Sequence, residues 1–225
     1  MKIRGIFITG TDTGVGKTYV GAGLAAAMRE NGIEIGVMKP AETGCLLRKG
    51  VLVPRDALQL MKAGGGDDPL DLVNPYRFRV ALAPAIAAAR AGKKIEIRRI
   101  ISAYRTLARK HPFMIVEGAG GIMVPLTTRR NYLDLAGVLN LPVLVVARPG
   151  LGTINHTLLT VMALRSRGVR IAGIVINHQS KKRPGLAERT GPQYIERLSG
   201  VPVIGHVING QRDFLAIMRR LVTLK

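Results

Sequence analysis

Residues suited to handling a phosphate come together first at Gly10-Thr11-Asp12-Thr13-Gly14-Val15-Gly16-Lys17-Thr18. An apolar run precedes them and a helix-forming run follows. The glycines let backbone N–H groups turn inward without a Cβ in the way. The helix N-terminus adds its dipole, so the loop attracts an anion. Lys17 stands where it can reach the outer phosphates of a nucleotide, and the Thr18 hydroxyl suits Mg²⁺. Five residues, 11–15, separate the first glycine from Gly16-Lys17, one more than the common form of this loop has.

Other candidates close further apolar runs. Phe113-Met114-Ile115-Val116-Glu117 ends in a carboxylate and passes into Gly118-Ala119-Gly120-Gly121. Glu117 can hold Mg²⁺ there directly or through water, and the glycines admit a nucleotide; a solvated strand-end glutamate is the alternative. Val37-Met38-Lys39-Pro40 ends in a lysine able to neutralise a phosphoryl group or an anionic intermediate, although lysines also end strands on ordinary surfaces. Asp56, in Pro54-Arg55-Asp56-Ala57-Leu58, reads on spacing alone as a helix N-terminal residue. A second glycine turn, Arg148-Pro149-Gly150-Leu151-Gly152-Thr153-Ile154-Asn155-His156, leads into a helix and suits a carboxylate or phosphate. Asn177-His178 ends another run; the Asn offers a donor and an acceptor to a base edge, or simply forms a turn. His111, His156, His178 and His206 lack zinc-like spacing, and the one cysteine, Cys45, can form no intramolecular disulfide.

These groups need strands and helices to bring them to one edge. Strands are expected at 5–9, 33–39, 113–117, 143–147, 171–177 and 201–207. They are continuously apolar, as strands covered on both faces are. Between them lie amphipathic stretches. Residues 18–31 put Val20, Leu24, Ala27 and Met28 on one face; 97–110 turn Ile97, Ile100, Ile101, Tyr104 and Leu107 inward. Residues 155–167 place Leu158, Val161 and Met162 inside, and 213–224 align Phe214, Ile217 and Leu221. Residues 64–68 and 181–185 read as loops, the first of them flexible. Alternation of this kind predicts one α/β domain over residues 1–225, with a mostly parallel sheet flanked by helices on both faces. Its ligands belong outside the carboxyl ends of the strands. With the phosphate loop, the fold expected is that of a P-loop nucleotide hydrolase.

The 225 residues carry 34 Lys+Arg against 14 Asp+Glu, a net charge of +20. That attracts polyanions. The excess is spread, however, as at Arg98, Arg99, Arg105, Arg129, Arg165, Arg189 and Arg219, and no basic block or tail exists, which argues against nucleic acid as the main partner. Mean hydropathy is +0.19 and charged residues make up 21%, a globular composition. No apolar run is long enough to span a membrane, and the first residues do not form a signal peptide, so the chain reads as soluble and cytoplasmic.

Taken in order, the loop of residues 10–18, Lys39-Pro40, Arg55-Asp56-Ala57, Asn74-Pro75-Tyr76, residues 116–121 and the turn of residues 150–156 resemble dethiobiotin synthetases from Ile6 to about Gly205. The resemblance implies ATP-dependent carboxylation of 7,8-diaminopelargonate with CO₂ and closure of the ureido ring, a late step of biotin synthesis. A carbamate forms, ATP phosphorylates it, and the second amine closes the ring with release of phosphate. It further implies that Thr18, Asp56 and Glu117 hold Mg²⁺, and that Lys17 and Lys39 act on the γ-phosphoryl group and the carbamate. Gly14, Val15, Gly16, Tyr19, Gly118, Ala119, Gly120, Asn177, His178, Val207 and Ile208 would surround the nucleotide, with Asn177 at the adenine. Thr11 and Thr43 would meet the substrate, and Gly152, Thr153 and Asn155 its tail carboxylate across a two-fold homodimer interface.

Two departures from the family pattern fall beside the base. Gly205 is followed by His206-Val207-Ile208 where relatives commonly carry Glu and Pro, and His178 replaces a frequent acid after Asn177. The competing reading is a partition or septum-positioning ATPase that binds DNA or membrane. Those proteins carry a signature lysine five positions before Lys17, where this chain has Asp12. A synthetase amidating a cobalamin precursor shares the first loop, but its extra glutamine-amidotransferase domain does not fit in 225 residues.

Overall fold

In the computed structural model, which describes residues 5–180, 183–211 and 213–223, six strands form one parallel sheet. In chain order, β1 (Gly5–Gly10) leads to α1 (Lys17–Glu30) and β2 (Ile35–Met38). An excursion follows: the short strand β3 (Ala41–Glu42), the hairpin β4 (Leu46–Arg48) and β5 (Val51–Val53), then α2 (Arg55–Gly64), α3 (Leu70–Val73), β6 (Tyr76–Arg77) and α4 (Pro84–Arg90). The main sheet resumes through α5 (Ile97–Lys110), β7 (Phe113–Gly121), α6 (Tyr132–Leu139) and β8 (Val143–Ala147). It ends with α7 (Thr153–Ser166), β9 (Ile171–His178), α8 (Leu186–Ser199), β10 (Val203–Ile208) and α9 (Leu215–Val222).

The spatial order is β10-β9-β8-β1-β7-β2. From β1 the chain moves outward to β2, then reverses to β7 and on across β1 to β8, β9 and β10. Parallel crossovers are right-handed. The reversal therefore puts α1 on one face and α5, α6, α7 and α8 on the other. It also leaves the crevice at the carboxyl ends of β1 and β7, where the direction changes. The strands are apolar because both faces are covered: Ile6, Phe7 and Ile8 of β1 and all of β8 are buried. α1 buries the four residues expected of it, and α9 returns over it, with Phe214 set edge-on to Tyr19 at 5.9 Å between ring centres.

β8 and α5 have the expected bounds, and the other expected elements are found with shifted ends. β7 does not stop at Glu117 but runs to Gly121, because Gly121 still pairs with Gly10. β2 begins at Ile35 and β10 at Val203, each two residues later than its pattern suggests. α7 buries Val161 as expected, half-buries Leu158 and turns Met162 out. Thr153, Thr157, Thr160, Val161 and Leu164 turn inward, at i, i+4, i+7, i+8 and i+11, whereas Leu159 and Met162 stay 56% and 65% exposed. The supposed flexible loop 64–68 begins in α2 and is tied at its end. The buried Asp68 accepts from Lys110 Nζ at 3.3 Å and pairs with His111 Nε2 at 2.6 Å. Of the loop at 181–185 and the segment 213–224, residues 181, 182 and 224 lie outside the described residues. Among the described residues, no helix is long and apolar enough to cross a membrane.

Candidate active site

The first glycine loop wraps the start of α1. Gly14 and Gly16 take left-handed conformations (φ 74° and 92°), and Gly16 is the residue capping the helix. Only glycine adopts such angles at little cost. The loop is braced from below: Asn177 Nδ2 donates to the Val15 carbonyl at 2.8 Å, and Gln179 donates to the Gly14 carbonyl. Asp12 accepts the Thr13 N–H at 2.7 Å, which fixes the turn. Lys17 is buried and, among the described residues, its ammonium bonds only the Asp12 carbonyl, at 3.3 Å.

Burial, and then the nearby charge of Lys39, lowers the Lys17 pKa to about 8. In the unfolded chain this group titrates near its ordinary value of 10.5. Below pH 8 the folded protein therefore carries an unfavourably buried cation, and the penalty disappears as pH rises from about 8 to 10.5. It amounts to about 3 kcal/mol at pH 7. Lys17→Met is expected to raise the melting temperature of the ligand-free protein at pH 7 and to have a much smaller effect at pH 10. Thermal unfolding at the two pH values measures this, and a variant that melts lower at pH 7 contradicts it. A bound polyphosphate restores the full charge, so nucleotide binding should take up protons near pH 8.

Beside the loop, four groups from four elements converge. Lys39, after β2, donates to Glu117 Oε1 at 2.5 Å, to Asp56 Oδ2 at 3.0 Å and to the Gly118 carbonyl at 3.2 Å. The Thr18 hydroxyl donates to the same Glu117 oxygen at 2.8 Å. Burial opposes the charge on Lys39, but Glu117 and then Asp56 overcome it and hold the ammonium above the ordinary lysine range. Glu117 is fully buried, and its Oε2 has no hydrogen-bond partner among the described residues. Such an atom is costly unless something fills its valence. Two carboxylates and a hydroxyl, with one oxygen unspent, form a hard-oxygen set suited to a divalent cation. The cleft above them measures about 520 Å³ and is lined by Gly14, Gly16, Lys17, Thr18, Lys39, Thr43, Asp56, Glu117, Ala119 and Gly120 among others.

Two supporting residues escaped the sequence analysis. Glu42 is buried, and its two oxygens accept the N–H groups of Asp56 and Ala57, each at 3.0 Å. α2 begins after Pro54, which supplies no side-chain cap, so a carboxylate from β3 caps it and aims Asp56. Burial raises the Glu42 pKa, against those two N–H bonds. Its only signal was its place between Lys39 and Thr43. Asn74, noted in sequence but given no role, is fully buried and donates to the Lys39 carbonyl at 2.6 Å. Asp56 thus stands in the first turn of α2, as its spacing suggested, while its side chain serves the lysine.

The family model described as an AAA domain matches residues 4–211. The ATP-dependent dethiobiotin synthetase BioD of Anaeromyxobacter dehalogenans (strain 2CP-C) is 50% identical over 191 residues, 85% of this chain and 79% of that one. The chain belongs to the dethiobiotin synthetase family. The synthetase of Bacillus subtilis (strain 168) is 42% identical over 204 residues, covering 90% and 86%, and that of Thermodesulfovibrio yellowstonii is 40% identical over 208 residues, covering 89% and 87%. Among solved structures, a ParA family ATPase from Chlorobium tepidum TLS aligns with a TM-score of 0.56 at 16% identity, over 98% of this chain and 89% of that one, a likeness of fold.

The remaining positions suggested by the dethiobiotin synthetase resemblance lie outside the lining of the cleft. Val15 is buried under its own loop, and Thr11 has a buried hydroxyl without a partner. Tyr19 donates to the Gln211 carbonyl at 2.5 Å. The Gly118 carbonyl accepts from Lys39 at 3.2 Å. Asn177 and His178 pair in register with Val207 and Ile208 at the ends of β9 and β10. Of these, Val207 is fully buried, so its side chain faces the core, whereas Ile208 is exposed. The His178 and His206 rings lie 5.7 Å apart; burial, and then His178, lower the His206 pKa. Gly152, left-handed at φ 84°, caps α7; Asn155 is exposed, and the Thr153 hydroxyl is committed to the Arg148 carbonyl at 2.5 Å.

Proposed function

We propose that residues 1–225 act as one ATP-dependent dethiobiotin synthetase unit, converting 7,8-diaminopelargonate, CO₂ and ATP to dethiobiotin, ADP and phosphate. The observation that carries this reading is the buried Lys39, bonded at once to Asp56 and Glu117, beside Lys17 and Thr18 in a chain half-identical to a named synthetase. Gly14, Gly16 and the first turn of α1 hold the triphosphate by backbone N–H groups, with Lys17 at its outer end. Asn177, His178 and Ile208 would flank the base. Thr18, Asp56 and Glu117 would hold Mg²⁺, which when bound screens the charge of the phosphates. Lys39, beside these groups, would meet the carbamate formed when one amine of the substrate takes up CO₂. A preorganised cation is most effective where negative charge develops, as it does while a carbamate oxygen attacks the γ-phosphorus. Thr43, which lines the cleft, would offer the diamine a polar contact.

ATP turnover with diaminopelargonate and bicarbonate tests the reading. ADP and dethiobiotin should appear in equal amounts, and neither without the diamine. ATP hydrolysis that ignores the diamine and responds to added DNA or lipid vesicles would support the partition-ATPase reading instead.

The second glycine turn supports a homodimer with shared sites. Gly152, Thr153 and Asn155 lie outside the cleft of their own chain, yet free N–H groups at a helix N-terminus suit a carboxylate. Exposed Leu151, Leu159 and Met162 nearby form an apolar surface that a second copy would cover. A Lys17→Ala subunit mixed with a Gly152→Asp subunit decides the matter. In a shared-site heterodimer one site carries both lesions and the other none, so equal mixing should restore about a quarter of full activity. Confirmed subunit exchange without any recovery rules out the shared site.

A further inference from the structure

Part of the +20 charge gathers on one element. Residues 90–110 hold eight basic residues against one acid, Glu96. Most of this stretch is α5, a helix with no acid of its own. Ile100, Ala103 and Leu107 face the core. Arg98, Arg105 and Arg109 stand at i, i+7 and i+11, which a turn of about 3.6 residues brings into one row opposite that buried stripe. The row spans ~17 Å at a rise of about 1.5 Å per residue. These three line a surface groove of about 470 Å³ with Ile101, Ser102 and Thr106. Lys93, Lys94 and Arg99 border a neighbouring groove of about 660 Å³, where Arg99 lies over the Tyr76 ring at 5.1 Å. Among the described residues none of Lys93, Lys94, Arg98, Arg99, Arg105 and Arg109 forms an ion pair. An internal role for the charge would have given these cations acidic partners. No large apolar side chain is exposed between residues 90 and 110, so the face lacks what a helix needs to enter a lipid surface.

We propose that the outer face of α5, with the loop before it, binds the phosphate backbone of nucleic acid without reading its sequence. Arginine donates two parallel hydrogen bonds to a phosphate, and a row of unpaired arginines neutralises successive phosphates while releasing counterions. The contact is separate from the nucleotide cleft, whose lining includes no residue of α5.

Fluorescence anisotropy of the full-length chain tests this with two labelled probes, a 30-base-pair DNA duplex and a 30-nucleotide single-stranded RNA, between 50 and 200 mM salt. Binding to at least one probe is expected, weakening about tenfold or more over that range, and the tighter probe identifies the source of the backbone. The triple variant R98E/R105E/R109E should bind at least tenfold more weakly. A control triple, R165E/R189E/R219E, makes the same change in net charge on other elements and should lose far less. Both variants should keep the parent's melting temperature and synthetase activity, which separates this proposal from the assignment of the cleft. Absence of binding to either probe at 50 mM salt overturns the proposal. So do equal losses in the two triples, which would mean that net charge alone is responsible. Preferential binding to vesicles of one part phosphatidylserine to three parts phosphatidylcholine likewise overturns it.

Discussion

Lys39→Met is expected to lower kcat by roughly 10²–10³-fold, while the affinity for ATP changes much less. The ammonium lies between two carboxylates at 2.5 and 3.0 Å and lines the cleft beside Lys17. Its charge is therefore most valuable once a new anion forms there, in the transition state rather than in the ground state. A variant with unchanged kcat and a raised KM for ATP would show instead that Lys39 only helps bind the phosphates. The same substitution should leave a signature in stability. Asp56, 43% exposed, can turn to water when its cation is lost, but Glu117 cannot. Removing one partner of a buried pair costs about 3–5 kcal/mol. Unfolding at neutral pH should register that loss, and added Mg²⁺ should recover more of it in the variant than in the parent, because the same oxygens then gain a cation.

Gly16→Ala should weaken nucleotide binding by about 100-fold or more, a loss of ~2.7 kcal/mol. Two penalties coincide. The residue sits at φ 92°, where a side chain costs about 1–3 kcal/mol. A Cβ there would also fall 2.0 Å from Asn177 Nδ2, the atom that supports the Val15 carbonyl. Either the loop or the asparagine must move, and both shape the anion cradle. Gly14→Ala separates the terms: φ is 74°, but a Cβ there would meet nothing within 4 Å. Its effect should reflect backbone strain alone and be clearly smaller. Equal losses in the two variants, measured by titration calorimetry with ATP, would remove Asn177 from the account.

What was legible in the sequence was what is local. The strands could be found because both of their faces are covered, so burial writes itself as an unbroken apolar run. α5 was bounded correctly at both ends because apolar residues mark a single stripe on an otherwise charged helix. The phosphate loop was legible for the same reason: strand, glycines, lysine and threonine are contiguous, and their chemistry follows from their order. α7 was misjudged because it carries apolar residues on two sides, and helical periodicity cannot say which side meets the sheet. The structure gives the sheet its threonine row and leaves Leu159 and Met162 outside.

The rest depended on contacts between residues far apart in the chain. Nothing near Asp56 reveals that Glu42 holds its backbone, or that Asn74 holds that of Lys39. Nothing near Glu117 reveals that Thr18, 99 residues earlier, donates to the same oxygen as Lys39. The sequence by itself determined the six strands of the main sheet, four of the helices and the anion-binding loop, because each follows from local pattern and backbone freedom. Only the tertiary structure decided which carboxylates share a cation and which face of α7 is buried. Both depend on the order of strands in the sheet and on the rotation of helices packed against it.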